Sequence, residues 1–589
     1  MRRSLPWAVL GLLLAGLLLA AVTLDRRTWP GLMGDEATYL MQAESLAWDF
    51  DLTYERGDYQ RFVAHWGIKP DGVILQSSDR GATFTYGKPA FYPTFLAPFS
   101  RLSPTRGPAV ANVLLLALAA LLTAHTLSSR LGATAPLWVA AFVFASVTFA
   151  NAFWAHADLF LACLTALALA LAYREREAPE ALPEIWGERP EVQGRAFLLR
   201  WAAVGALLAP VALSRPFYLG LLLPAALAVP RERRRQGLAA LGAGALLVAG
   251  LSVAASYDRS GSWTSYGGER LAFYSYTGFP KVDLADQEWS RLVARRGPGN
   301  WTEGERLLPY AFEPRLTGYN LLYFSVGRNT GLLPYYLPLL LGLVAFRKDR
   351  GRWALLLAVA LAVAGFLFVR PFNFYGGGAA LANRYFLPVY PALWFLCGRS
   401  RPWAWPLAIT LAAVPFLAPS WLAPAAYPLD EKGGWRYVSA SARAWLPYET
   451  TQDHLKPSGQ EDVVHNELWV KPLGTEVRVE VAGQRFRLEG RPVAEVLIAS
   501  PRPLPALRLE FDATGPTRVD LAGAELRRRL FEPSGGSTFD FALGRPTAVH
   551  KPWWAEESWY FYRLEIRPET SPEKAGTSKQ TWVFQMKRL

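Results

Sequence analysis

The chain has only two cysteines, Cys163 and Cys397, and both lie inside apolar runs. They supply neither a disulfide framework nor a metal cluster. Lysine is nearly missing from the first half. Lys69 and Lys88 alone precede Lys281, although arginine is abundant. No internal repeat or low-complexity tract is visible, and no basic face is interleaved with exposed aromatics. The formal net charge of +13 over 589 residues therefore does not point to nucleic acid. Its arginines collect at the ends of apolar segments, as in Arg231, Arg233, Arg234 and Arg235.

Those apolar segments set the class. Residues 7–22 and 113–124 carry no charge, whereas the chain beyond about 430 reads as ordinary soluble protein. The contrast predicts an α-helical polytopic membrane protein with a C-terminal soluble, β-rich, sandwich-like domain. Candidate spans fall near 5–24, 108–127, 133–150, 154–173, 198–214, 216–230, 237–256, 331–346, 353–369, 385–398 and 402–422, about eleven in all. Met1-Arg2-Arg3 followed by a long apolar run favours a retained first helix over a cleaved signal peptide.

Positive charge supports this order. With Arg2 and Arg3 inside, the segments holding Arg130, Arg174, Arg195, Arg200, residues 231–235, Arg347, Arg350, Arg399 and Arg401 all fall on the same side. The opposite side receives two large loops, 25–107 and 257–330, and everything after the last span. The expected domains are thus a membrane domain over 1–425, a linker or mixed region over 426–464, and a β-rich domain over 465–589. Alternation in Val477–Val481, Arg508–Asp512, 517–521 and 561–567 predicts short half-buried strands there.

Several outer residues invite a chemical reading. Asp35 and Glu36 are adjacent carboxylates in Gly34-Asp35-Glu36-Ala37-Thr38-Tyr39, suited to base chemistry, to metal ligation or merely to capping a helix through Ala47. Lys88 sits in Tyr86-Gly87-Lys88-Pro89, where an ammonium among aromatics suits a lipid phosphate or simple snorkelling to headgroups. His156 and Asp158 open the fourth span, and an ionisable group there needs a partner or a cavity. Arg215, Arg328, and Arg384 with Tyr385 occupy outer turns. Arginine clamps phosphoryl oxygens with paired donors, and tyrosine stacks on or hydrogen-bonds to sugar.

These motifs, over roughly 1–425, resemble the GT-C superfamily of polyprenyl-phosphate-sugar-dependent glycosyltransferases. The similarity is to the bacterial protein O-mannosyltransferase and aminoarabinose-transferase group of the family 39 type. It is carried by Gly34–Tyr39, Tyr86–Pro89, Asp158, Gly327–Gly331 and Asn383–Pro391. The resemblance implies an inverting transfer of sugar from a polyprenyl phosphate to a hydroxyl of protein, lipid or glycan. It also implies a bacterial inner-membrane enzyme with a cytoplasmic N-terminus and an extracytoplasmic C-terminal domain. Asp35, Glu36 and Asp158 become the catalytic candidates. Tyr39, Tyr86, Lys88, His156, Arg215, Arg328, Arg384 and Tyr385 become the donor phosphate and sugar candidates. The first loop carries Asp35-Glu36 in place of Asp-x-Asp, so a divalent cation such as magnesium or manganese on Asp35 and Glu36 is an open alternative. A lipid or sugar transporter, or flippase, would spread its charges through mid-membrane and show repeat symmetry. A non-catalytic envelope assembly protein would use the same charges structurally.

Overall fold

The computed structural model describes residues 4–25, 32, 35–77, 82–174, 190–263, 269–285, 288–291, 312–377, 382–398, 402–425 and 438–453. Beyond these it describes 455, 463–465, 468–473, 477–480, 485–488, 494–512, 516, 518–523, 529–532, 537–569 and 582–588. The chain divides into two compact units. The first comprises Met1–Tyr310, Leu332–Val369 and Leu381–Ala426, and the second comprises Ala311–Gly331, Arg370–Ala380 and Tyr427–Leu589.

Among the described residues, six helices are long and apolar enough to cross a membrane: Ser4–Thr23, Gly107–Phe144, Gly194–Ser214, Arg231–Arg259, Arg350–Val369 and Ala404–Leu422. Two shorter apolar helices, Ala157–Tyr173 and Pro216–Ala228, accompany them. This corrects the expectation of about eleven spans, and the reason is local. The expected span at 331–346 is broken into Leu332–Tyr335 and Leu339–Val344 around Pro334 and Pro338. The one at 385–398 keeps only the short helix Tyr390–Trp394. Proline lacks the N–H a helix needs and clashes with the preceding turn. The 38-residue Gly107–Phe144 element takes in two expected spans, joined through the 3₁₀ turn Gly132–Thr134.

Between the first two long helices the chain builds a small layer of helices and strands. Glu36–Trp48, rich in Ala, Leu, Met, Gln and Glu, is a helix of good formers. Arg56–Trp66 begins with a capping box, Glu55 with Asp58, and ends at left-handed Gly67. Three antiparallel strands follow: β1 (Val73–Ser77), β2 (Thr85–Tyr86) and β3 (Glu269–Phe273), in the order β2-β1-β3. β3 comes from the second large loop and pairs Leu75 with Leu271. Tyr54, Phe62, Trp66, Phe84, Tyr86 and Trp289 form the core beneath. Helix, hairpin and returning strand thus fix the first loop without a disulfide.

The second unit carries two antiparallel sheets. Its strands are β4 (Val463–His465), β5 (Leu468–Pro472), β6 (Val477–Glu480), β7 (Arg485–Leu488), β8 (Ala494–Ser500), β9 (Ala506–Phe511), β10 (Arg518–Gly523), β11 (Arg529–Phe531), β12 (Thr538–Ala542), β13 (Ala548–His550), β14 (Trp559–Glu569) and β15 (Trp582–Arg588). One sheet runs β11-β10-β14-β8-β5-β4, with β13 also on β14, and the other runs β12-β9-β15-β7-β6. Leu507, Leu509 and Phe511 alternate inward from one sheet to meet Val496, Ile498, Leu564 and Ile566 of the other.

Candidate functional site

Asp35 stands at the start of the Glu36–Trp48 helix, yet its side chain makes no capping hydrogen bond. Its Oδ2 instead accepts from Lys88 Nζ at 2.8 Å. Lys88 reaches it because the chain after β2 passes tightly over β1. A Cβ on Gly87 would lie 2.9 Å from Ile74 Cγ2 and 3.1 Å from Arg270 Nε, so only glycine fits without displacement. Arg270, from β3, donates to the Gly87 carbonyl, and Gln42 Nε2 donates to that of Lys88 at 3.3 Å. Both carbonyls flanking the lysine's placement are therefore held.

Asp158 lies in the first turn of Ala157–Tyr173, where the helix dipole favours a carboxylate. Its Oδ1 accepts from Arg215 Nη1 at 2.7 Å. Arg215 follows the helix ending at Ser214 and is extended, at φ −154° and ψ 123°, as a residue preceding proline must be. Its guanidinium lies 3.8 Å over the Tyr385 ring and donates to the Tyr218 hydroxyl at 3.0 Å. Tyr218 in turn donates to the Tyr385 carbonyl at 2.8 Å.

Arg384 joins the two pairs. It is 3.7 Å from Asp35 Oδ2 through Nη2 and 3.8 Å from Asp158 Oδ2 through Nε. Its Nη1 meets His156 Nδ1 at 2.9 Å. Because arginine only donates, Nδ1 accepts, and a neutral ring carries its proton on Nε2. Lys88, Asp35, Arg384, Asp158 and Arg215 therefore form one continuous chain of alternating charge. Asp35 and Lys88 remain 20% and 14% exposed, whereas Asp158 is 4% exposed.

Burial alone would raise the Asp35 pKa, but Lys88 and then Arg384 outweigh it and hold the carboxyl below its ordinary range. Burial pushes the Lys88 ammonium downward, against the attraction of Asp35. Asp35 is thus a firmly ionised and weakly basic carboxylate while its cations stay on it.

The remaining expected residues are placed differently. Glu36 is fully buried and turns away from Asp35, accepting from the Ala155 N–H at 3.0 Å. Adjacent in sequence, the two carboxylates diverge, so they do not fit a shared metal site. Among the described residues no group of three His, Cys, Asp or Glu gathers to hold one. Tyr39 lies at the edge, its ring 6.0 Å from Lys88 Nζ. Tyr86 packs edge-on against Tyr54 in the loop core. Arg328 belongs to the second unit, where it is 2% exposed and paired with Glu495 at 2.7 Å. Arg270 was not singled out by sequence. Its only signal is the strand-like Glu269–Phe273, which needs β1 as partner.

A narrow pocket of about 20 Å³ opens beside the cluster, lined by Tyr39, Pro89, Phe91, Tyr92, Ala157, Asp158, Phe160, Leu161, Ser214 and Arg215. It combines a charged end with aromatic and aliphatic walls. Fold and site together define a multi-pass membrane protein with a paired-charge cluster at the margin of its apolar helices.

No protein-family model and no curated protein matches the chain. Among solved structures, it is similar to the crystal structure of ArnT from Cupriavidus metallidurans bound to undecaprenyl phosphate, at 17% identity and a TM-score of 0.38. The similarity covers 70% of this chain and 65% of that one, so the chain spans just under two thirds of that protein.

Proposed function

We propose that the chain is a GT-C-type glycosyltransferase, moving a sugar from a polyprenyl phosphate to a hydroxyl acceptor at the extracytoplasmic membrane face. The observation that carries this reading is the bridge from Lys88 through Asp35, Arg384 and Asp158 to Arg215 beside a small pocket with a charged end and aromatic walls. Cations that stabilise a departing lipid phosphate and a carboxylate that deprotonates an acceptor are needed within reach of one another.

In this reading the acceptor oxygen forms a bond to the anomeric carbon from the face opposite the phosphate. The carbon–phosphate oxygen bond breaks, its electron pair staying with the polyprenyl phosphate. The hydroxyl proton passes to Asp35. Lys88, Arg384 and Arg215 stabilise the departing phosphate, with Arg270 adding positive charge next to Lys88. Tyr385 and His156 hold Arg215 and Arg384 in register, and Tyr39 walls the sugar end. Glu36 anchors the loop through Ala155 rather than acting on substrate.

The low basicity of Asp35 then has a purpose. A donor phosphodiester anion that draws Lys88 and Arg384 toward itself weakens their hold on Asp35, so donor binding raises the basicity of the catalytic carboxylate, and the second negative charge that develops on the departing phosphate strengthens the effect. A base is best matched when its pKa approaches the working pH.

The reading is tested by native mass spectrometry of the protein in nanodiscs with polyprenyl phosphate. Saturable binding that is weakened in Lys88→Ala and Arg384→Ala supports it. Equal retention of the lipid by wild type and both variants contradicts it.

A further inference from the structure

Asn112 is the one amide side chain in the apolar stretch Gly107–Phe144, and it is buried. An amide in such surroundings costs free energy unless its polar atoms are paired, and asparagine is a poor helix former besides. Here they are paired. Nδ2 lies 3.1 Å from the carbonyl oxygens of both Ala152 and Trp154, which gives one proton to each. The Tyr92 oxygen is 3.1 Å from Nδ2 and 3.2 Å from Oδ1. With both amide protons committed to carbonyls, the Tyr92 hydroxyl is the donor and Oδ1 accepts.

These partners belong to two further elements. Tyr92 is in the helix Phe91–Leu102. Ala152 is in the 3₁₀ turn Ala150–Phe153, and Trp154 follows it in extended backbone, at φ −113° and ψ 131°. His156 is extended as well, at φ −113° and ψ 142°. No helix ladder runs through this stretch, so its polar backbone groups need partners from elsewhere. Asn112 takes up the two carbonyls, and Glu36 accepts the next N–H, that of Ala155, at 3.0 Å.

The stretch so held leads straight into the charge cluster. His156, two residues beyond Trp154, meets Arg384, and Asp158, two residues further, meets Arg215. Tyr92 itself walls the pocket beside Asp158, its ring 5.4 Å from that of Tyr39 and 5.7 Å from that of Phe160. One buried amide thus ties the pocket wall to the backbone that carries His156 and Asp158. All of these residues lie in the first unit.

We propose that Asn112 is a positioning residue for His156 and Asp158, acting through the Ala152 and Trp154 carbonyls and touching no substrate. Without it the entry to the Ala157–Tyr173 helix loosens, Asp158 no longer meets Arg215 in one fixed geometry, and the phosphate end loses a placed cation. The functional part rests on the glycosyltransfer reading, whereas the placement of 152–156 stands without it.

The test has two readouts on the full chain in nanodiscs. Hydrogen–deuterium exchange compares wild type with Asn112→Leu, which keeps a similar volume but has no donor, and with Tyr92→Phe, which spares both carbonyl contacts. The reporters are the amides of Ala152, Trp154 and Ala155, which donate to Phe149, Asn151 and Glu36. Exchange there is expected to quicken about tenfold in Asn112→Leu and to stay within about threefold in Tyr92→Phe. Reporters within about twofold of wild type in Asn112→Leu overturn the proposal. If Asn112→Leu loses protection along all of Gly107–Leu131, Asn112→Ser decides by the same criterion. A helical serine turns its hydroxyl to its own helix and releases both carbonyls with less disturbance.

The second readout is polyprenyl phosphate binding by native mass spectrometry. Asn112→Leu is expected to weaken it about tenfold in the wild-type background and less than about threefold in an Arg215→Ala background, because the two losses act through one contact. Equal weakening in both backgrounds makes Asn112 a support of stability alone and overturns the positioning role. If wild type binds no polyprenyl phosphate, the glycosyltransfer reading fails, and exchange at 152–155 still decides the placement.

Discussion

Asp35 Oδ2 is held by two cations at once, 2.8 Å from Lys88 Nζ and 3.7 Å from Arg384 Nη2. Adjacent acids at a helix start are most simply read as caps. This carboxylate instead leaves the helix backbone uncapped and faces the cations. Coulomb attraction across such distances amounts to several kcal/mol at the effective dielectric of a protein margin, enough to overcome partial burial and keep Asp35 ionised.

Asp35→Asn removes the proton acceptor and leaves shape nearly unchanged. Transfer is expected to fall about 10²-fold or more, with thermal stability in detergent and polyprenyl phosphate binding retained. Transfer within a few-fold of wild type refutes the base assignment.

Lys88→Ala withdraws an ammonium from the phosphate end. Donor KM is expected to rise about tenfold or more, in keeping with loss of a charge-assisted contact, while acceptor KM changes little. Kinetics at varied donor and acceptor concentration separate the two.

Lys88 and Arg215 were legible in the sequence for physical reasons. One is among only two lysines in the arginine-rich stretch before Lys281, and the other is forced to be extended by Pro216. Their convergence was not legible, since Asp35, Lys88, Asp158, Arg215 and Arg384 meet only once the helices pack. Arg270 was hidden because β3 depends on pairing with β1, far away in sequence. Nothing in Ala152 or Trp154 announces Asn112 as their partner. The β-rich C-terminal part was readable from alternation, as in Ala506–Phe511 with its inward Leu507, Leu509 and Phe511. Helix number was overstated because hydropathy alone does not register the breaks at Pro334 and Pro338.

Glu36→Gln and Glu36→Ala are expected to part company. Glutamine retains an oxygen for the Ala155 N–H and keeps most activity, whereas alanine leaves that buried donor unmet and destabilises by about 1–3 kcal/mol. Thermal unfolding in detergent measures the difference. Equal loss of activity without loss of stability in both assigns Glu36 to the chemistry instead.

His550 is buried, stacks on Phe561 at 4.5 Å, and has its pKa pushed by burial from 6.5 down to about 4. The unfolded chain therefore binds this proton first as pH falls. His550 costs no stability above about 6.5, and an increasing penalty accumulates as pH drops toward about 4, reaching about 3 kcal/mol. Thermal unfolding of His550→Gln between pH 7 and 4 is expected to show a flatter pH dependence than wild type. Identical profiles exclude His550 as the titrating group.

The most direct measurement is donor consumption. The purified chain in nanodiscs is given a panel of polyprenyl-phosphate sugars with native membrane extract as acceptor, and the lipid product is followed by mass spectrometry. The account predicts release of polyprenyl phosphate from at least one donor by wild type, and none from it by Asp35→Asn. If no donor is consumed even with extract present, or if Asp35→Asn consumes it as fast as wild type, the account is contradicted.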